Sequence, residues 1–99
     1  MQSFRMNGLG ITEFCRRVEE EIRARNFQDI ASMRCFGDRI RIEFFWMGRS
    51  TLEFRVEERD GGFVAHCGRE RMSPFHLGFR RGFEDRFVEV LEAVGAELL

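Results

Sequence analysis

Cys15, Cys35, Cys67, His66 and His76 are the side chains of this chain best suited to nucleophilic or metal chemistry, so their spacing comes first. A zinc site draws on paired ligands such as Cys-x-x-Cys or His-x-x-x-His, and neither pattern occurs. His66 and Cys67 are neighbours in a segment that reads as a strand, so their side chains leave opposite faces and cannot converge. Cys67 and His76 have the residue types of a nucleophile and its base, but a cysteine on an apolar strand face is ordinarily packing. Three cysteines at wide spacing make no disulfide framework. The expectation is a reduced, non-enzymatic protein of the cytoplasm, with no metal and no cofactor.

The carboxylates and glycines add little. Gly8-Leu9-Gly10 precedes a helical stretch, as a phosphate-binding turn does. The third glycine and the following parallel strand that such a motif needs are both missing. Glu43, Glu53 and Glu57 recur on a strand-like pattern among arginines, which favours ion pairs that lower a carboxyl pKa over general acid–base work.

One segment departs from neutrality. Between His66 and Arg81 lie Arg69, Arg71, Arg80 and Arg81 against Glu70 alone, with Phe75 and Phe79 interleaved. Arg69, Arg71, His76, Arg80 and Arg81 are therefore the candidate ligand-binding residues, for a small anion bearing phosphate or carboxylate. The plainer account pairs these arginines with Glu89, Glu92 and Glu97 on a second helix. The whole chain has 16 basic residues, all arginine, and 17 acidic ones, for a net charge of -1. That balance argues against a general nucleic-acid binder.

The elements that must position these groups follow from periodicity. Ile11, Phe14, Cys15, Val18 and Ile22 recur at helical spacing, predicting a helix from Ile11 to Arg25 that Asn26 can end in the left-handed conformation. Alternation predicts strands over Ile30–Phe36, Arg39–Met47, Thr51–Arg59 and Gly62–Arg69, joined by Gly37-Asp38, Gly48-Arg49-Ser50 and Asp60-Gly61. Such short connections require an antiparallel meander. A three-residue loop after Met47 would place Phe44 across from Phe54 and Ile42 across from Val56. The opposite face would then pair Glu43 with Arg55 and Arg41 with Glu57. In that pattern Trp46 and all three cysteines face the core, and Cys35 and Cys67 lie on the two edge strands. Residues 1–10 read as a short strand or an arm. Ser73-Pro74 resembles a helix start, while Gly78 and Gly82 weaken a continuous helix. From Phe83 the helical stripe is clear, and Gly95 is its stop.

The predicted fold is α+β, with order α-β-β-β-β-α: a four-stranded antiparallel meander and two helices on one face, as a single domain. That order is shared by many unrelated domains and supplies no function. The longest apolar run, Phe44-Phe45-Trp46-Met47, is far too short for a bilayer. Twelve phenylalanines are many for so small a core, and Phe4, Phe27 and Phe36 have no predicted core place. Ile30, Phe45, Met47 and Val64 fall on the open sheet face. A binding or protein-interaction domain acting as a homodimer through that face is the expectation.

Overall fold

The computed structural model describes residues 1–46, 48–74, 76, 78 and 80–99. Its elements are β1 (Phe4–Met6), α1 (Ile11–Ala24), β2 (Ala31–Phe36), β3 (Arg39–Phe44), β4 (Ser50–Arg59), β5 (Gly62–Arg71), α2 (Arg80–Val94) and β6 (Glu97–Leu98). All pairings are antiparallel, in the order β2-β3-β4-β5-β1-β6. The sheet thus has six strands where four were expected. Strands of three and two residues are too short to show alternation. Phe4 and Met6 are buried on either side of exposed Arg5 only because β5 is there to pair with. The outer strands are β2 and β6, so Cys67 is not on an edge. Glu97, expected on the second helix, lies in β6 and meets Arg5 at 2.5 Å.

Both helices end in the same way. Asn26 has φ 55°, and the Asn26 and Phe27 amides donate back to the Arg23 and Ile22 carbonyls. Gly95 has φ 107°, and the Gly95 and Ala96 amides donate to Glu92 and Leu91. This paired bonding satisfies carbonyls that the helix leaves open, and it brings a buried apolar residue, Phe27 or Ala96, back against the last turn. The second helix begins at Arg80, three residues before the expected Phe83. Phe75, Leu77 and Phe79, on which the longer-helix and strand alternatives rested, lie outside the described residues.

The meander forms with one register corrected. Phe36 pairs with Arg39 and Arg59 with Gly62, as the two tight turns predict. Between β3 and β4, however, Ile40 faces Phe54, Ile42 faces Leu52 and Phe44 faces Ser50. The pairing is displaced by four residues, because β3 ends at Phe44 and β4 begins at Ser50. The predicted Met47 partner falls outside the described residues. An even displacement keeps the side chains of β3 and β4 on their predicted faces while the partners change. Glu43 is not across from Arg55, nor Arg41 from Glu57. Arg41 instead faces Glu53, and their side chains meet at 3.1 Å.

Both helices cover the same face. Phe14 of α1 lies 5.7 Å from Phe4 and 5.1 Å from Phe63, while Phe83 and Phe87 of α2 lie 5.3 and 5.9 Å from Phe44, ring centre to ring centre. Such offset and edge-to-face contacts are the favourable arrangements of aromatic rings. Phe4 and Phe27 are core residues after all, whereas Phe36 is 46% exposed. Trp46, expected inside, is 44% exposed because it follows the end of β3.

Candidate anion-binding face

The sheet face away from the helices is lined by alternate residues of the meander: Arg34 of β2, Arg39 and Arg41 of β3, and Arg55 of β4 among them. Cross-strand neighbours on this face include Arg34 with Arg41 and Arg39 with Arg55. Like charges directly opposite one another are unfavourable in a sheet. They mark a surface whose charge is set by something other than the sheet itself.

Arg69 and Arg71 reach this face through a β-bulge. Phe54 pairs with Cys67, but Leu52 pairs with Glu70, so β5 carries one extra residue between these points. A bulge reverses the facing of all that follows. Ala65 and Cys67 face the helices. Beyond the bulge Glu70 does so, while Arg69 and Arg71 turn to the open side. Glu70 there meets the Met1 amine at 2.6 Å, and Glu84 of α2 meets the same amine at 3.2 Å. Burial draws the pKa of that amine down, the bonds to Glu70 and Glu84 push it up, and the net displacement is upward.

The result is a groove of about 260 Å³ lined by Arg41, Thr51, Glu53, Arg69 and Arg71. Thr51 stands directly across from Arg71. The Arg41 guanidinium bonds Glu53 and lies 5.2 Å from the centre of the Phe36 ring, a cation–π contact. Its Nε is buried and has no hydrogen-bond partner among the described residues. The carboxylates of the face are already engaged: Glu43 with Arg49 at 3.6 Å, Glu53 with Arg41, and Glu57 with His66 at 2.9 Å and Arg59 at 2.8 Å. His66 first and Arg59 second hold the Glu57 carboxyl below its usual range, so it is no general base. Among the described residues, Arg34, Arg55, Arg69 and Arg71 have no carboxylate within 4.0 Å.

The remaining candidates are elsewhere. His76 is fully buried; its Nδ1 lies 2.5 Å from Ser50 Oγ and its Nε2 bonds the Trp46 carbonyl. A serine beside a histidine is the start of a nucleophile–base pair, but both side chains are closed to substrate. Arg80 opens α2, and Arg81 is exposed in its first turn. Of the candidate residues whose side chains are described, Arg69 and Arg71 share one groove, and His76 and Arg81 do not line it. Of the predicted interface residues, Ile30 and Phe45 are adjacent, the Phe45 amide donating to the Ile30 carbonyl at 2.9 Å. Val64 is on β5 across from Glu57, and Met47 lies outside the described residues. Ile30 also lines an apolar cleft of about 320 Å³ with Phe27, Trp46, Phe83 and Arg86. Sequence reasoning passed over Arg34 and Arg39 as sites, although the strand alternation already put Arg34 on the polar face. No group of three or more His, Cys, Asp or Glu among the described residues could hold a metal ion, and no described helix is long and apolar enough to cross a membrane.

This is an α+β architecture with one helical layer and one open, arginine-rich sheet face. Compared with known proteins, the chain matches no family model, no curated protein and no solved structure.

Proposed function

We propose that the chain is a non-enzymatic binding domain whose open sheet face takes an anionic ligand bearing phosphate or carboxylate. The observation that carries this reading is the bulge in β5, which sets Arg69 and Arg71 beside Arg41 on a face whose carboxylates are already paired. Guanidinium forks suit the two oxygens of a carboxylate or phosphate, and a ligand there would relieve the like-charge neighbours. Arg69 and Arg71 contact the ligand; Thr51 offers a hydroxyl between them and Glu53. The test is a thermal-shift screen with inorganic phosphate, nucleotides and short carboxylates, repeated on Arg69→Glu/Arg71→Glu. The expected result is stabilisation by one of these classes that the double variant loses. No stabilisation by any of them, or one the variant retains, overturns the reading. Weak retention on DNA or RNA at low salt would keep nucleic acid off the list of partners.

Self-association is the second reading. Phe45 and Trp46 are 36% and 44% exposed beside the apolar cleft, and a second copy would cover them. Its motive is narrower than the count of phenylalanines suggested, since Phe4 and Phe27 belong to the core. Two arginine-rich faces would also repel, so the contact would centre on this corner. Light scattering at micromolar concentration tests it. A dimer mass that Phe45→Glu lowers supports the reading, and a protomer mass for the unaltered chain removes it.

A further inference from the structure

β2 and β6 are the outer strands of the sheet, and only β2 is long enough to pair further: it has six residues and β6 has two. An outer strand carries a row of unpaired amides and carbonyls, which proteins ordinarily blunt with proline, a bulge or a covering element. β2 has no proline, and its pairing with β3 runs from Ala31 to Phe36 without a bulge. The turn decides which backbone groups face outward. Phe36 and Arg39 flank Gly37-Asp38, so they exchange backbone bonds, and the exchange recurs at every second residue, Arg34 and Ser32. The Phe45 amide on the Ile30 carbonyl, at 2.9 Å, continues it. Ala31, Met33 and Cys35 therefore turn their backbone groups away from β3. The Ala31 amide bonds the Phe27 carbonyl at 3.0 Å, while the Met33 amide and carbonyl have no hydrogen-bond partner among the described residues.

A groove of about 220 Å³ lies at this edge, lined by Glu19, Ile22 and Arg23 of α1 and by Ala31–Arg34. Glu19 and Arg23 are exposed, and neither has an ion-pair partner among the described residues. Phe36 at one end of β2, and Phe45 beside Ile30 at the other, are among the large apolar side chains that the fold leaves exposed.

We propose that the occupant of this edge is a second copy of the chain, its β2 paired antiparallel with the first about a two-fold axis at Met33. The proposal rests on the self-association reading and names its surface. The Met33 amide and carbonyl bond those of the second Met33, and the Cys35 amide meets the Ala31 carbonyl of the second copy. Side chains on the open face set the register. An axis at Met33 places Phe36 across from Ile30 of the second copy, next to its Phe45, and Arg34 across from its Ser32. The exposed rings gain apolar neighbours, and no arginine stands directly opposite another across the new seam. An axis at Cys35 would instead set Arg34 against Phe36 and leave Ile30 uncovered. The α1 helices run antiparallel on the same side of the joined sheet, so Glu19 of each copy approaches Arg23 of the other. Such a pair of opposite charges complements itself across a two-fold axis, which favours a second copy over a foreign peptide. The two arginine-rich faces lie side by side and are not pressed together.

Analytical ultracentrifugation of the full chain over a dilution series, with amide exchange on the same samples, tests this. The expected result is a dimer in which the Met33 amide exchanges more slowly than in the diluted protomer. Glu19→Arg alone and Arg23→Glu alone should each weaken the dimer about tenfold, because the symmetry repeats every new repulsion. Glu19→Arg with Arg23→Glu should restore it. Both positions are exposed on the helix, so urea unfolding should show all three variants folded. A dimer whose Met33 amide exchanges as fast as in the protomer, or a double variant no better than the single ones, overturns the edge pairing and leaves self-association standing. A protomer mass at every concentration removes both.

Discussion

Ser50 Oγ and His76 Nδ1, 2.5 Å apart and both fully buried, join the start of β4 to the connection that precedes α2. The Trp46 carbonyl can only accept, so it places the ring proton on Nε2. Nδ1 is then an acceptor for the Ser50 hydroxyl, whose oxygen also accepts the Ser73 amide at 2.9 Å. One serine serves the buried His76 ring and the Ser73 amide. Ser50→Ala takes the hydroxyl donor from the buried His76 Nδ1, which costs about 1–3 kcal/mol. Urea unfolding followed through Trp46, the single tryptophan, should give a correspondingly lower midpoint at unchanged slope. A midpoint equal to that of the unaltered chain would show that the contact is not formed.

Gly62 opens β5 where the end of β1 crosses it. A Cβ added there would lie 2.0 Å from the Met6 carbonyl oxygen and 3.0 Å from the Asn7 Cα, both backbone atoms that cannot swing aside. Gly62→Ala must therefore push β1 away from β5. The loss is expected to be about 2 kcal/mol, within the range for strained core-edge substitutions. It should be local: amide exchange should quicken in Phe4–Met6 and Glu97–Leu98, while β3 and β4 keep their protection. Uniform protection across the sheet would contradict the close approach.

Much of this fold is legible because local chemistry and tertiary packing agree. Asn26 and Gly95 stop their helices, and alternation assigns most of the core side chains of β2 to β5. What is not legible depends on partners distant in sequence. β1 exists only beside β5, and β6 only beside β1. The β3–β4 register was misjudged because Phe44-Phe45-Trp46-Met47 continues the strand pattern beyond the point where the strand ends. Arg69 and Arg71 were marked by composition, but the face they occupy depends on an extra residue in β5.

The corrected register makes a quantitative claim about Arg41. It pairs with Glu53 at 3.1 Å across β3 and β4, not with Glu57. Both side chains are partly exposed, so the coupling should be modest, about 0.5 kcal/mol. A double-mutant cycle with Arg41→Ala and Glu53→Ala should return that coupling, and the cycle with Glu57→Ala should return nothing above error. The opposite outcome would restore the three-residue loop.

Glu13 tests the helix surface. The hydrogen bond from Arg16, and then that from Arg17, hold its carboxyl at about 2 against an ordinary value of 4.5. Because the folded value is the lower one, protons bind the unfolded chain more readily. The contribution of Glu13 to stability is therefore complete above pH 4.5, declines as the pH falls, and is gone below about 2. Its size is limited by solvent, since the side chain is open to water, and added salt should shrink it further. Carbon-detected NMR titration of the Glu13 carboxyl in the folded chain should show a midpoint near 2, moving upward in Arg16→Ala. A midpoint at the ordinary value in the unaltered chain would mean that Arg16 and Arg17 do not hold it. Glu13→Gln should leave a flatter acid limb in the unfolding curve than the parent, with the two curves meeting at the lowest pH.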